Sequence, residues 1–187
     1  MPDLEASERA ENYLLEQMKN HNSAGGVIEC IVTGMPAGIG EPVFDKLDAS
    51  LSKAVMSVGS VKGVEIGDGF HSATVTGADN NDSFSYDENG KIIKTSNHAG
   101  GILGGISDGS DIILRAAIKP TPSIYHSQNT VNKNKENIEI KIEGRHDPII
   151  VPRAVVVVEA MVAITLVDQL FAGMTSRMDR IKEFYHN

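Results

Sequence analysis

The sequence contains no tryptophan, one cysteine and only 5% aromatic residues. A core must therefore be aliphatic, and the 41% hydrophobic content is enough to build one. The single Cys30 excludes an intrachain disulfide and fits a reducing compartment. It lies in GGVIECIVTG, a strand-like run, and reads as a small core residue rather than a nucleophile. Positive charge is also scarce. There are 17 Lys and Arg against 25 Asp and Glu, a net charge of −8. That argues against non-specific nucleic-acid binding, which needs a basic face, and against an anionic membrane surface as a partner. Any bound anion must be held by a local basic cluster. No GxSxG, CxxC or HExxH occurs, and the six histidines show no metal-ligand spacing, so no metal site is expected. The N-terminal stretch MPDLEASERAENYLLEQMKN lacks the basic start, apolar middle and cleavage site of a signal peptide. The longest apolar run, 154–167, is broken by Glu159 and is too short to span a bilayer. The expectation is a soluble, cytoplasmic protein.

A chain of 187 residues suits one domain of ordinary size, or half of something larger. Leu14, Leu15 and Met18 recur at helical spacing, which predicts a helix over 2–21. Gly25-Gly26 breaks it, and 27–33 reads as a strand. A turn-rich loop, GMPAGIGEP, leads to a helix from Asp45, with Leu47, Leu51, Ala54, Val55 and Val58 on one stripe and Asp45 or Asp48 as cap. Gly59 ends it. Strands are expected at 61–66, 73–76, 112–118 and 138–142. Residues 79–94 read as an exposed hairpin or loop around Asn89-Gly90, and 130–137 as a polar, mobile stretch. The valine-rich 154–170 is ambiguous by composition, but its length favours a buried helix, with Pro152 placed to start it. Residues 174–187 read as a short amphipathic helix or a tail. The fold class is α+β with mostly antiparallel pairing.

Three stretches carry chemistry. SNHAGGILGGISDGSD, 96–111, is glycine-rich, which lets backbone approach a ligand closely. It is neither a P-loop nor GxGxxG, and on glycines alone a flexible loop is the simpler reading. KPTPS, 119–123, is a proline-stiffened turn at a strand end; Arg115 and Lys119 share a face of that strand, as a solvated pair or as part of a site. EGRHDPIIVPRA, 143–154, packs Arg145, His146, Asp147 and Arg153 between prolines. Arg145 can grip a phosphate or carboxylate with two parallel hydrogen bonds. Alternatively, an Arg–Asp salt bridge merely pins a loop to a helix.

MPAGIGEPVFDKLDA, MSVGSVKGVEIGDGF, SNHAGGILGGISDG, IKPTPSI and GRHDPIIVPRAV occur in this order. Together they closely resemble the C-terminal half of chorismate synthase, over about residues 25–170. On that resemblance the chain divides into an N-terminal helix and linker (1–24), the C-terminal half of a chorismate synthase-like domain (25–173) and a tail (174–187). The implied fold is one half of a β-α-β sandwich, with long helices packed on an antiparallel sheet. The implied activity is the anti-1,4 elimination of phosphate from 5-enolpyruvylshikimate 3-phosphate to give chorismate, in the shikimate pathway, using reduced FMN. The implied assembly is a homotetramer.

By motif, the resemblance assigns FMN contacts to Gly59, Ser60, Gly104, Lys119, Pro120, Thr121, Pro122 and Ser123, and places Asn97 beside them. Arg145 matches an arginine at flavin and substrate, and Asp147 an aspartate that takes a proton from flavin N5. The family's FGESHG-type and RRPG-type motifs, which belong to its N-terminal half, do not occur in this sequence. Where many relatives carry Cys after the DP of GRHDP, this chain has Ile149. The expectation is half an active site, inactive alone, completed by an N-terminal half in cis or trans. The alternative is a non-catalytic truncated paralogue serving as a flavin- or anion-binding or assembly module. Either way, apolar surface should be exposed where the missing half packs.

Overall fold

The computed structural model describes residues 3–144 and 146–186. Helix α1, Leu4–Lys19, is capped by Asp3, whose carboxylate accepts from the Ala6 N–H at 2.9 Å. It buries no residue. Strand β1 is Gly26–Val32, α2 is Leu47–Met56 and β2 is Val61–Ile66. The expected aspartate cap of α2 is not made. Lys46 occupies the N-cap, and the first-turn N–H of Leu47 donates instead to Gly105 O at 2.8 Å. The glycine-rich loop thereby supplies an acceptor for an otherwise orphaned helix donor.

No strand forms at 73–76. A 3-10 turn, Gly69–Ala73, runs into a short helix α3, Gly77–Asn80. Thr76 decides this: its hydroxyl accepts from the Asp79 N–H at 3.4 Å and donates to the Asp79 carboxylate at 2.6 Å, closing a helical turn. Hairpins follow: β3 (Phe84–Tyr86) with β4 (Ile92–Lys94), and β5 (Ile102–Leu103) with β6 (Ile106–Ser107). Strand β7 is Ile112–Ile118. The strand expected at 138–142 forms as β9, Asn137–Lys141, and pairs with β8, Ser127–Val131; the stretch expected to be polar and mobile, 130–137, is the end of β8 and the turn of that hairpin. Helices α4, Val151–Met174, and α5, Met178–Tyr185, complete the chain.

The central sheet has the order β1-β7-β2, all antiparallel. Period-two alternation sends Ile112, Leu114, Ala116 and Ile118 of β7 to one face, with Ile28 and Val61 from its neighbours. Helices α2 and α4 cover that face through Leu47, Leu51 and Val55 and through Ala154, Val158, Val162 and Leu166. Half-buried Cys30 packs against the same core. Burial, with Glu159 nearby, pushes its thiol pKa up, which blunts it as a nucleophile.

The opposite face of the sheet is left uncovered by the described residues. Val27 and Ile31 are exposed there, beside a cross-strand row of Glu29, Arg115 and Glu65. Helix α4 is longer than the apolar run that suggested it. Its 24 residues are long and apolar enough to cross a membrane. Its buried stripe, one residue per turn against α2 and the sheet, makes it the core helix here. Its far side is bare, with Ile164 63% and Phe171 65% exposed.

Candidate active site

The C-terminal end of β7 gathers most of the residues singled out from the sequence. Lys119 follows the strand directly, and its N–H donates to Ser60 O at 2.9 Å, which joins KPTPS to the Gly59-Ser60 turn. Ser60 holds φ at +73°, a left-handed conformation uncommon for a residue with a side chain. Thr121 O accepts from the Ser23 hydroxyl at 2.7 Å, and Pro122 O from the Gln128 side chain at 2.9 Å. The Ala24 N–H donates to Pro148 O at 2.8 Å, so the segment carrying Asp147 is tied to the same edge. Tyr125 stands edge-on to His146, ring centroids 5.8 Å apart, and its hydroxyl donates to Gly144 O. Asp147 is ion-paired with Arg153 in the first turn of α4. Arg145 lies outside the described residues. Arg115 does not join Lys119 as a solvated pair; its guanidinium pairs with Glu65 at 3.6 Å and donates to Gly67 O at 2.7 Å.

This corner suits an anionic ligand. Thr121 Oγ1 and the Nε2 of His146 are buried without a hydrogen-bond partner among the described residues. Such groups are rare in a finished fold, because desolvation goes uncompensated. Lys119 is exposed and makes no ion pair among the described residues, and Arg153 adds a second cation. Orphaned polar atoms in a corner that also carries cations fit a group rich in acceptor oxygens, such as a phosphate or a carboxylate.

Asn97 and Gly104 lie at the other end of β7. A seven-residue strand at about 3.3 Å per residue places them roughly 20 Å from Lys119. Asn97 is fully engaged within its own loop. Its Oδ1 accepts from the Gly101 N–H at 2.8 Å and from Lys94 Nζ at 3.2 Å, and its Nδ2 donates to Asp111 O at 2.8 Å. Gly104 has φ +60°, and a Cβ built on it would meet nothing within 4 Å, so its backbone faces open space.

A cleft of about 1130 Å³ opens here between the β3–β4 hairpin and the turn at 108–111, with Asn97 on its wall. None of Ser60, Lys119, Thr121 or Asp147 lines it. Beneath it Lys94 is buried between Asp82 at 3.0 Å and Asp108 at 2.8 Å, all three side chains 3–7% exposed. Burial pushes the Asp82 carboxyl up. Bonds from the Ala99 N–H, the Ser96 hydroxyl, the His98 N–H and Lys94 outweigh it and hold the pKa well below the usual range. Asp108 is lowered the same way: burial opposes, while Lys94 and Ser110 prevail. This cluster was invisible in the sequence, where Asp82 and Lys94 fell in a segment read as exposed.

The family model for chorismate synthase matches residues 1–171. The chain belongs to the chorismate synthase family. It is 66% identical to the chorismate synthase of Lachnoclostridium phytofermentans over 185 residues, which is 99% of this chain and 50% of the relative. It is 53% identical to that of Methanocaldococcus jannaschii over 164 residues, 87% of this chain and 43% of the relative. A crystal structure of chorismate synthase superposes with a TM-score of 0.76 at 31% identity, covering all of this chain and 49% of that one. The chain thus spans about half the length of the chorismate synthases it matches. The α+β architecture, helices on an antiparallel sheet, is that of the corresponding half of the family's fold.

Proposed function

We propose that this chain supplies the C-terminal half of a chorismate synthase active site. The complete protein would eliminate phosphate from 5-enolpyruvylshikimate 3-phosphate. The observation that carries this reading is the meeting of Ser60, Thr121, His146 and Asp147 at one corner, with two buried polar atoms unpartnered and two cations beside them. Lys119 and the Thr121 hydroxyl would hold phosphate oxygens, with Pro120 and Pro122 keeping the turn rigid and Ser123 closing it. Gly59, whose Cβ position is open, and Gly104 would let a flat ring approach the backbone. Reduced FMN bound there would supply electron density to the substrate. Asp147, with Arg153 alongside, would accept a proton, and Arg145 would grip the substrate anion. Because Gly104 lies at the far end of β7, one ligand can use both ends only if another surface joins them. A homo-oligomer or the N-terminal half would provide it.

The test mixes this chain with the FGESHG-bearing half of the Lachnoclostridium phytofermentans relative. Chorismate should form only in the mixture, only with reduced FMN, and fall sharply with Asp147→Asn. Turnover by this chain alone would overturn the half-site reading. A mixture that neither turns over nor binds flavin would support a non-catalytic assembly module instead.

A further inference from the structure

The buried Lys94 cluster is not accounted for by the corner at the other end of β7. An ammonium has three N–H donors, and here each goes to a different stretch of chain. Asp82, after α3, accepts at 3.0 Å, Asn97 at 3.2 Å and Asp108 at 2.8 Å. The acceptors hold further donors. Asp82 also accepts from the Ser96 hydroxyl at 2.7 Å and from the His98 and Ala99 N–H groups at 2.8 and 3.0 Å. Asp108 also accepts from the Ser110 N–H at 2.8 Å. Asn97 passes the restraint on to Gly101, directly before β5, and to Asp111, directly before β7. Buried ion clusters of this kind add little net stability over an apolar filling of the same volume; their best-attested use is to specify one arrangement.

We propose that Lys94 is a positioning residue, which through Asn97 and Asp108 sets the path of the glycine loop from Gly100 to Gly105. The proposal rests on the reading that this loop faces the flavin. A flat ring against bare backbone tolerates little displacement, so the loop needs support from beneath. The shape of the cluster suits a point cation. Arginine's planar fork would not direct its donors to three converging segments.

The experiment compares Lys94→Met with the double variant Lys94→Met, Asp108→Asn, each in the full chain mixed with the N-terminal half of the relative. The single variant leaves two buried carboxylates without their cation and should lower the urea midpoint. The double variant removes one of those charges and should recover most of the midpoint. Oxidised-FMN affinity, read by fluorescence quenching, should stay weaker by roughly ten-fold or more in both. Exchange of the Gly101 amide, measured on this chain, should stay roughly ten-fold or more faster in both. If affinity and Gly101 protection return together with the midpoint, Lys94 is only structural and the proposal fails. If the unsubstituted mixture does not bind FMN, the flavin reading fails. Gly101 exchange in the double variant then decides alone: rapid exchange upholds positioning, and restored protection overturns it.

Discussion

Replacing Gly100 by alanine tests how tightly the glycine loop is built into the fold. Gly100 has φ +62°, and an added Cβ would lie 2.3 Å from Gly67 N and 2.6 Å from Gly67 Cα. Both are backbone atoms, so no side chain can rotate away and the two loops must separate. Two backbone bonds at the clash are disturbed: the Gly67 N–H to Ile113 O of β7 at 2.9 Å, and the Asp68 N–H to His98 O at 2.8 Å, which joins the two loops. The left-handed conformation costs an alanine about 1–2 kcal/mol. Loosening two backbone bonds adds about 0.5–1.5 kcal/mol each. The expected loss for Gly100→Ala is therefore about 2–5 kcal/mol, a large share of the stability of an ordinary domain. Gly34→Ala is the control. Its φ is +74°, but its Cβ would meet nothing within 4 Å, so only the conformational cost of about 1–2 kcal/mol applies. Urea unfolding followed by far-ultraviolet circular dichroism measures both, since the chain lacks tryptophan. Equal losses for the two variants would refute the contact argument.

The acid limb of stability should follow the lysine cluster. Asp82 and Asp108 have folded pKa values below the ordinary 3.8, so their contribution is present above that value and lost as pH falls through the folded ones. The urea midpoint should fall steeply below about pH 4, and Asp82→Asn should flatten that fall; an unchanged slope would argue against it. Gly104→Ala should cost only the conformational ~1–2 kcal/mol, because its Cβ position is open. It should nevertheless weaken FMN binding in the two-half mixture; unaltered flavin affinity would place the ring elsewhere. Ile164 and Phe171, seven apart on the bare side of α4, should drive self-association, read as a sedimentation coefficient that rises with concentration. Ile164→Lys with Phe171→Lys should abolish that rise, and a wild-type chain with no concentration dependence would contradict the expectation.

The elements legible in the sequence were those whose signal is local. Short apolar runs marked β1, β2 and β7, and length marked α4. The segment 73–76 misled because threonine and valine favour strands, while the Thr76–Asp79 exchange of hydrogen bonds favours a helical start. Strand β9 was legible at 138–142, but its partner β8 and the turn between them escaped, because polar side chains close that turn. Asn132 Oδ1 accepts from the Asn134 and Glu136 N–H groups at 2.9 and 3.1 Å, a turn signal hidden in a run that looked unstructured. The candidate corner was readable as motifs, but the unpartnered Thr121 and His146 atoms exist only once Ser60, Ala24 and Tyr125 are folded against them. Lys94 gave no signal at all, since two of its three partners are distant in sequence and nothing nearby marks the position as buried.

The central place of β7 also dictates an order of events during synthesis. Gly26 pairs with Ile118 and Val32 with Ile112, while β2, among the described residues, pairs with β7 alone. Neither outer strand can therefore hydrogen-bond into the sheet until the ribosome has released the segment that comes between them. In the interval Ile28, Val61 and the apolar stripe of α2 are made but unsheltered. Contacts this distant in sequence form slowly and leave sticky intermediates. The nascent chain should thus lean on chaperones most heavily just before β7 emerges.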